Sequence, residues 1–247
     1  MRQLSTVSGA LLEPRLTTSP TAPAITYYDD ATGERIELPA VTLANWAAKT
    51  GNLLRDELGA GPGSRVAVLL PAHWQTAGVL LGIWYIGAEA VVQHSDWQGD
   101  CDIACTTMDR LDEADTAVVP MGEVVALSLD PFGKPVPDLP VGITDYATSV
   151  RVHGDQIAAE PAPGPALAGR TAAEVLAAAE TSAATRGFTT GDRVLSTSGW
   201  DTAEAVVDNL LAVLRAGASL VQVTNPDPAA QERRRVTEKI SADLPTT

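Results

Sequence analysis

A three-layer αβα domain with a parallel sheet is predicted for this chain by a pattern that occurs twice. Arg65-Val66-Ala67-Val68-Leu69-Leu70, a helical stretch and Gly87-Ala88 return as Arg193-Val194-Leu195-Ser196, a helical stretch and Gly217-Ala218. Each copy reads as a buried strand, a covering helix and the next parallel strand, so the chain carries two similar crossover units. Scale agrees: 247 residues of 45% apolar composition suffice for one large α/β core.

Leu4, Val7, Leu11, Leu12 and Leu16 fall near helical spacing and predict a docking N-terminal helix, broken by Pro20 and Pro23. Residues 24–28 and 35–38 are strand-like around the turn-rich Asp29-Asp30-Ala31-Thr32-Gly33, which predicts a β-hairpin. Thr42 is the expected cap of a helix with Leu43, Trp46, Ala47, Leu54 and Leu58 on its apolar face and Gly59 at its end. The first crossover runs from the strand 66–70 through Pro71 and a helix bearing Trp74, Leu80, Leu81, Ile83 and Trp84 to a strand over 88–93. Two more strands, 103–106 and 124–129, flank an acidic helical piece near 111–114, so the sheet is expected to hold at least five strands. Proline-rich segments 131–140 and 161–165 read as linkers. They divide the chain into halves 1–130 and 131–247 of one compact domain. Thr171 with Glu174 three residues later is the capping-box arrangement of an alanine-rich helix. The second crossover spans 193–223.

With 31 acidic against 17 basic side chains, the net charge of −14 repels phosphate backbones and anionic membranes, so neither nucleic acid nor membrane is an expected partner. The basic run Arg233-Arg234-Arg235 reads as a solvated helix face. No apolar stretch approaches the roughly 20 residues that span a bilayer. The start, with Arg2, Glu13 and Arg15, lacks a signal-peptide core, which predicts a cytoplasmic protein. Cys101 and Cys105 on one strand would lie roughly 13 Å apart, too far to bridge.

The block from Ala24 to Val92 resembles the N-terminal part of the adenylate-forming superfamily, which includes acyl-CoA synthetases, nonribosomal adenylation domains and luciferases. The residues that carry the resemblance are Pro23-Ala24-Ile25-Thr26-Tyr27, the stretch from Leu43 to Leu58, Gly61-Pro62-Gly63-Ser64 running into Arg65 to Pro71, and Gly87-Ala88. Gly191-Asp192-Arg193-Val194-Leu195-Ser196 through Gly217-Ala218-Ser219-Leu220-Val221 looks like the later repeat of the same fold. More narrowly, the chain looks like a short actinobacterial family of uncharacterised proteins that keep this scaffold alone. The resemblance implies the fold of the N-terminal domain of adenylate-forming enzymes and covers roughly the first half of a full-length member.

Full-length members activate a carboxylate with ATP through motifs that can be sought here. The phosphate loop ending in Pro-Lys-Gly is expected between the two blocks, where residues 155–190 hold no lysine and no glycine-rich loop. The adenine and magnesium element, a ribose-binding Thr-Gly-Asp beyond the second block and the C-terminal domain with its catalytic lysine are also not found. Ser196-Thr197-Ser198-Gly199-Trp200-Asp201 follows a strand and precedes a helix, the context of a phosphate loop. The match stops after Gly199, and Asp201 with Glu204 is expected to cap the helix with acid, where a phosphate would need its amides. The resemblance places this segment at the acyl pocket and makes Trp200, beside Ser198 and Gly199, a candidate pocket wall; the alternative is a core or surface tryptophan.

His73 and Trp74 stand at the carboxyl end of the first crossover strand, where open α/β sheets place ligands, although a packed helix N-terminus is the ordinary reading. Trp74, Trp84 and Tyr85 also read as an aromatic face suited to a subunit contact. His94, Asp96, Cys101 and Cys105 match no common zinc spacing, and no nucleophile motif is present, so neither catalytic nor metal residues are assigned. The expected function is a non-catalytic, truncated acyl-CoA synthetase-like protein that binds a ligand or protein, without cofactor. The alternative is a residual acyl, acyl-CoA or adenylate binder, or half of a split synthetase, with ATP or AMP, magnesium or CoA bound. A homo-oligomer is expected, because the surface that a full-length member covers must be covered here too.

Overall fold

The computed structural model describes residues 6–93, 96–162 and 164–244. Helix α1 (Val7–Thr18) leads into the hairpin of β1 (Pro23–Asp29) and β2 (Glu34–Pro39). Next, α2 (Ala40–Asn52) is lengthened by a π-helical turn (Leu53–Glu57) and released at Gly59, whose φ of +74° suits a residue without a Cβ. The first crossover unit is β3 (Arg65–Leu69), α3 (Trp74–Tyr85) and β4 (Glu89–Val91), with its strands parallel. There follow β5 (Cys101–Thr106), α4 (Leu111–Ala117), β6 (Val118–Ala126), β7 (Thr144–Asp145), α5 (Tyr146–Ser149), β8 (Pro165–Leu167), β9 (Arg170–Thr171) and α6 (Ala172–Arg186). The second unit joins β10 (Arg193–Ser196) to the parallel β11 (Ser219–Thr224) through α7 (Ala203–Val206), a π-helical turn (Val207–Leu211) and α8 (Ala212–Arg215). The described chain closes with α9 (Pro228–Thr237) and β12 (Ala242–Asp243).

Each unit lies in its own sheet. One sheet has the order β12-β10-β11-β1-β2 and the other β7-β6-β5-β3-β4-β8-β9. Because β1 pairs with β11, and β8 extends the other sheet beyond β4, the boundary expected at 130/131 does not separate the sheets.

Side-chain alternation sets the layers. Val66 and Val68 of β3 share one core with Leu43 of α2, Leu80 of α3, Leu210 and Leu220, whereas Ala67 and Leu69 face a second cluster under Ala114 and Ala117 of α4. Leu195, Val221 and Val223 pack with Tyr28 and Ile240 on the far side of the other sheet. The architecture is therefore two αβα sandwiches that share their middle helical layer. Helix α3 lies in that layer, and all 12 of its residues are buried, as an element apolar on every side requires. A Cβ on Gly82 would come within 2.9 Å of the Gly51 nitrogen, so α2 and α3 meet backbone to backbone.

The aromatic face expected at a subunit contact is interior. Trp84 and Tyr85 are buried, and Trp84 Nε1 donates to the Ala166 carbonyl at 2.8 Å. Thr42 is not the cap of α2: the helix starts at Ala40, and the Ala40 and Val41 amides donate to the Ala22 and Pro20 carbonyls at 3.1 and 2.9 Å. Those backbone acceptors from the preceding turn do the work of a capping side chain. On α6 the expected box forms, with Thr171 and Glu174 each bonding the other's backbone amide. Around β1, β2 and β10, the Glu238 carboxylate accepts from Tyr28, Arg35 and Arg193. Burial alone would raise its pKa, but those donors outweigh burial and hold it at about 2.

Candidate functional site

Strand order creates the principal crevice. The chain leaves β3 for β4 on one side and returns to β5 on the other, so the loops at their carboxyl ends diverge, as at ligand sites of open α/β sheets. A cavity of about 920 Å³ opens there. Its wall is Pro71 after β3, Asp96 and Trp97 after β4, Thr107, Asp109, Arg110, Glu113 and Thr116 after β5, and Asp201 after β10. Four carboxylates thus share the wall with one guanidinium. Glu113 holds that guanidinium at 2.7 Å and also accepts from Trp97 Nε1 at 2.8 Å.

A second cavity, of about 640 Å³, lies on the other side of Pro71 and includes Tyr27, Glu34, His73, Leu129, Phe132 and Thr224. His73 caps α3 by accepting the Gln75 amide on Nδ1 at 3.1 Å. A neutral ring that accepts at Nδ1 carries its proton on Nε2. Nε2 stands 3.8 Å from Glu34 Oε1, beyond hydrogen-bond length, and the Tyr27 ring meets the imidazole edge-on at 4.3 Å. Burial pushes the His73 pKa below its ordinary value, against the opposing pull of Glu34 and Asp29, so the ring is neutral at pH 7.

Trp74 turns the other way. It packs edge-to-face on Trp46 at 5.4 Å and walls a third cavity, of about 390 Å³, with Phe132 and Lys49. His73 and Trp74 therefore open into neighbouring cavities that share Pro131 and Phe132.

Ser198, Gly199 and Trp200 are in none of these walls. Trp200 is 1% exposed and packs in the shared core. The Ser198 carbonyl accepts from Gln222 at 3.1 Å and the Gly199 carbonyl from Asn209 at 3.0 Å. A Cβ on Gly199 would fall 2.5 Å from Asp201 Oδ2, so the Asp201 carboxylate folds back into space that only glycine leaves. The cap of α7 is accordingly Thr202, whose Oγ1 accepts from the Ala205 amide, while Glu204 pairs with Arg170 at 3.5 Å; the expected Asp201–Glu204 capping pair does not form. Asp201 is the part of this loop that reaches the crevice.

Residues 154–160, in the interval where the resemblance expects a phosphate loop, are strapped to α2 and α3. Asn52 Nδ2 donates to the Gly154 and Gln156 carbonyls at 2.8 and 3.0 Å, and the Glu160 amide donates to Tyr85 at 2.8 Å. The segment precedes β8, which runs parallel to β4, so it lies at the amino ends of the strands, opposite the crevice. His94 lies outside the described residues. Cys101 and Cys105 sit along β5 in separate clusters, and burial pushes both thiols up to about 12. Among the described residues no group of three histidine, cysteine or acidic side chains is placed to hold a metal ion.

The acidic wall residues 107–113 escaped the sequence reading, although their place just after a strand beside β3 was the available signal. Lys49 and Phe132 had none, since α2 and a proline-rich linker meet only in the folded chain.

This two-sheet arrangement is shared with solved structures of adenylate-forming enzymes. An acyl-CoA synthetase from Brucella canis superposes with a TM-score of 0.79 at 16% identity over 98% of this chain and 47% of its own. An anthranilate CoA ligase in complex with anthranoyl-AMP superposes with a TM-score of 0.73 at 16% identity over 97% of this chain and 49% of its own. The chain thus has the fold of the N-terminal part of acyl-CoA synthetase-like proteins and spans about half their length. A Mycobacterium tuberculosis (strain ATCC 25618 / H37Rv) protein described as a TIGR03089 family protein is 63% identical over 243 residues, 97% of this chain and 98% of that protein. The chain belongs to the TIGR03089 family. A scan of protein-family models matches none to it. No helix among the described residues is long and apolar enough to cross a membrane.

Proposed function

We propose that the protein is a non-catalytic member of the adenylate-forming fold that acts by binding a small ligand or a protein partner in the cytoplasm. The observation that carries this reading is the charge of the crevice. Asp96, Asp109, Glu113 and Asp201 wall the place where the sheet would hold a ligand, against a single arginine already bound by Glu113. Carboxylates so placed repel a polyphosphate or an adenylate, and the residues present do not fit ATP, AMP or CoA phosphates. Developing phosphoryl charge would meet four carboxylates there against one guanidinium already held by Glu113.

The test is calorimetric titration with ATP, AMP and a medium-chain acyl-CoA, each with and without magnesium. The expected result is no saturable heat from any of them. Saturable heat from a nucleotide would replace this reading with the second one, a residual acyl, acyl-CoA or adenylate binder or one half of a split synthetase. The fold shared with an acyl-CoA synthetase and a CoA ligase is what supports that alternative. The proposal extends to a homo-oligomer, and a single-chain mass by light scattering would remove that part.

A further inference from the structure

We propose that the groove over α2 is a binding site for a small aromatic carboxylate. Its wall joins Trp46 and Lys49 of α2, Trp74 of α3, Pro131 and Phe132 of the linker after β6, and Arg151, with no acidic side chain. In a chain of net charge −14, such a wall holds two cations and no counter-charge. Lys49 Nζ donates to the His153 carbonyl at 2.7 Å, which engages one of its three N–H groups. The Arg151 guanidinium donates through Nη2 to the Phe132 and Gly133 carbonyls and so fixes the linker that carries the Phe132 ring. Among the described residues neither cation is paired with a carboxylate, and a ligand carboxylate supplies the missing charge.

The remaining wall is aromatic. Trp46 and Trp74 meet edge-to-face at 5.4 Å, and Phe132 stands 79% exposed beside them. A lone exposed phenylalanine in a polar linker is stable in water but gains from a flat apolar partner. Trp74, 4% exposed, closes the buried side of the same wall. Size narrows the ligand. A volume of about 390 Å³ exceeds the roughly 150 Å³ that holds a benzene, leaving room for a ring, a short link and a carboxylate. The inference stands apart from the non-catalytic reading, because a chain that retained nucleotide chemistry in its crevice would keep this groove.

The experiment titrates the full chain with phenylacetate, neutral phenylacetamide and cationic phenethylamine, following tryptophan fluorescence and heat. Phenylacetate is expected to saturate in the roughly millimolar range, with the amide and amine about tenfold weaker or silent. Lys49→Met is expected to weaken phenylacetate about tenfold. Phe132→Ala is expected to weaken it several-fold with an unchanged melting temperature, which separates lost binding from lost folding. Equal binding of acid and amide, or wild-type affinity in Lys49→Met, would overturn the proposal. So would the absence of saturation, and a dimer by light scattering that Phe132→Ala dissociates would then assign the groove to a second copy of the chain.

Discussion

The two crossover units begin alike and end differently. Both first strands stand where strand order reverses: β3 lies between β4 and β5, and β10 between β11 and β12. After β3 the place stays open, and Pro71 divides it into an acidic crevice and the cleft of His73. After β10 the loop closes on itself. Gln222 and Asn209 take the Ser198 and Gly199 carbonyls, and Trp200 drops into the core. A strand–loop–helix pattern therefore marks where a site can form, and the hydrogen bonds that neighbouring elements make to the loop decide whether one does.

Removing Trp200 tests that contrast hardest. As a fully buried core residue it should cost about 3–5 kcal/mol in urea unfolding when changed to alanine. A loss under about 1 kcal/mol would make it a pocket wall instead. Glu238 clamps the rim of the second unit's sheet, and Glu238→Gln should cost roughly 2–3 kcal/mol at neutral pH. Because its pKa falls from 4.5 to about 2 on folding, the contribution is complete above pH 4.5 and is lost as pH falls toward 2. Unfolding midpoints of wild type and variant should converge over that window, and a gap that persists at its acid end would assign the stabilisation to packing.

In the first unit Gly82→Ala should cost about 1–3 kcal/mol, because a methyl meets the Thr50 side chain at 2.8 Å and the Gly51 backbone. A neutral result in thermal melts would mean that α2 and α3 can separate freely. The smallest effect is expected at the groove: Phe132→Ala should shift stability by no more than about 0.5 kcal/mol. A larger loss in the same melts would make Phe132 a packing residue rather than the lip of a site.

Legibility followed distance along the chain. Hairpin β1–β2 was readable because its turn residues and strands are contiguous, and the box at Thr171 and Glu174 because both partners lie within one helical turn. Thr42 misled because the true start of α2 is satisfied by the Pro20 and Ala22 carbonyls, which no helix-start residue announces. His73 was found by its place at the end of β3, while the partner that faces it, Glu34, comes from β2. Trp200 was pointed to by the resemblance alone, and it lies in the core behind Ser198 and Gly199, whose carbonyls Gln222 and Asn209 hold.

By itself the sequence determined the α/β class and both crossover units, since periodicity, capping and turn chemistry act between residues a few positions apart, and its motif residues carried the resemblance to the adenylate-forming scaffold. Tertiary structure alone decided that the units occupy separate sheets, that β1 joins β11, that carboxylates from three loops share one crevice, and that Lys49, Phe132 and Arg151 meet in one groove. Those outcomes depend on pairing and packing between distant segments, where the free energy of burying one surface is set by whichever other surface the whole chain brings against it.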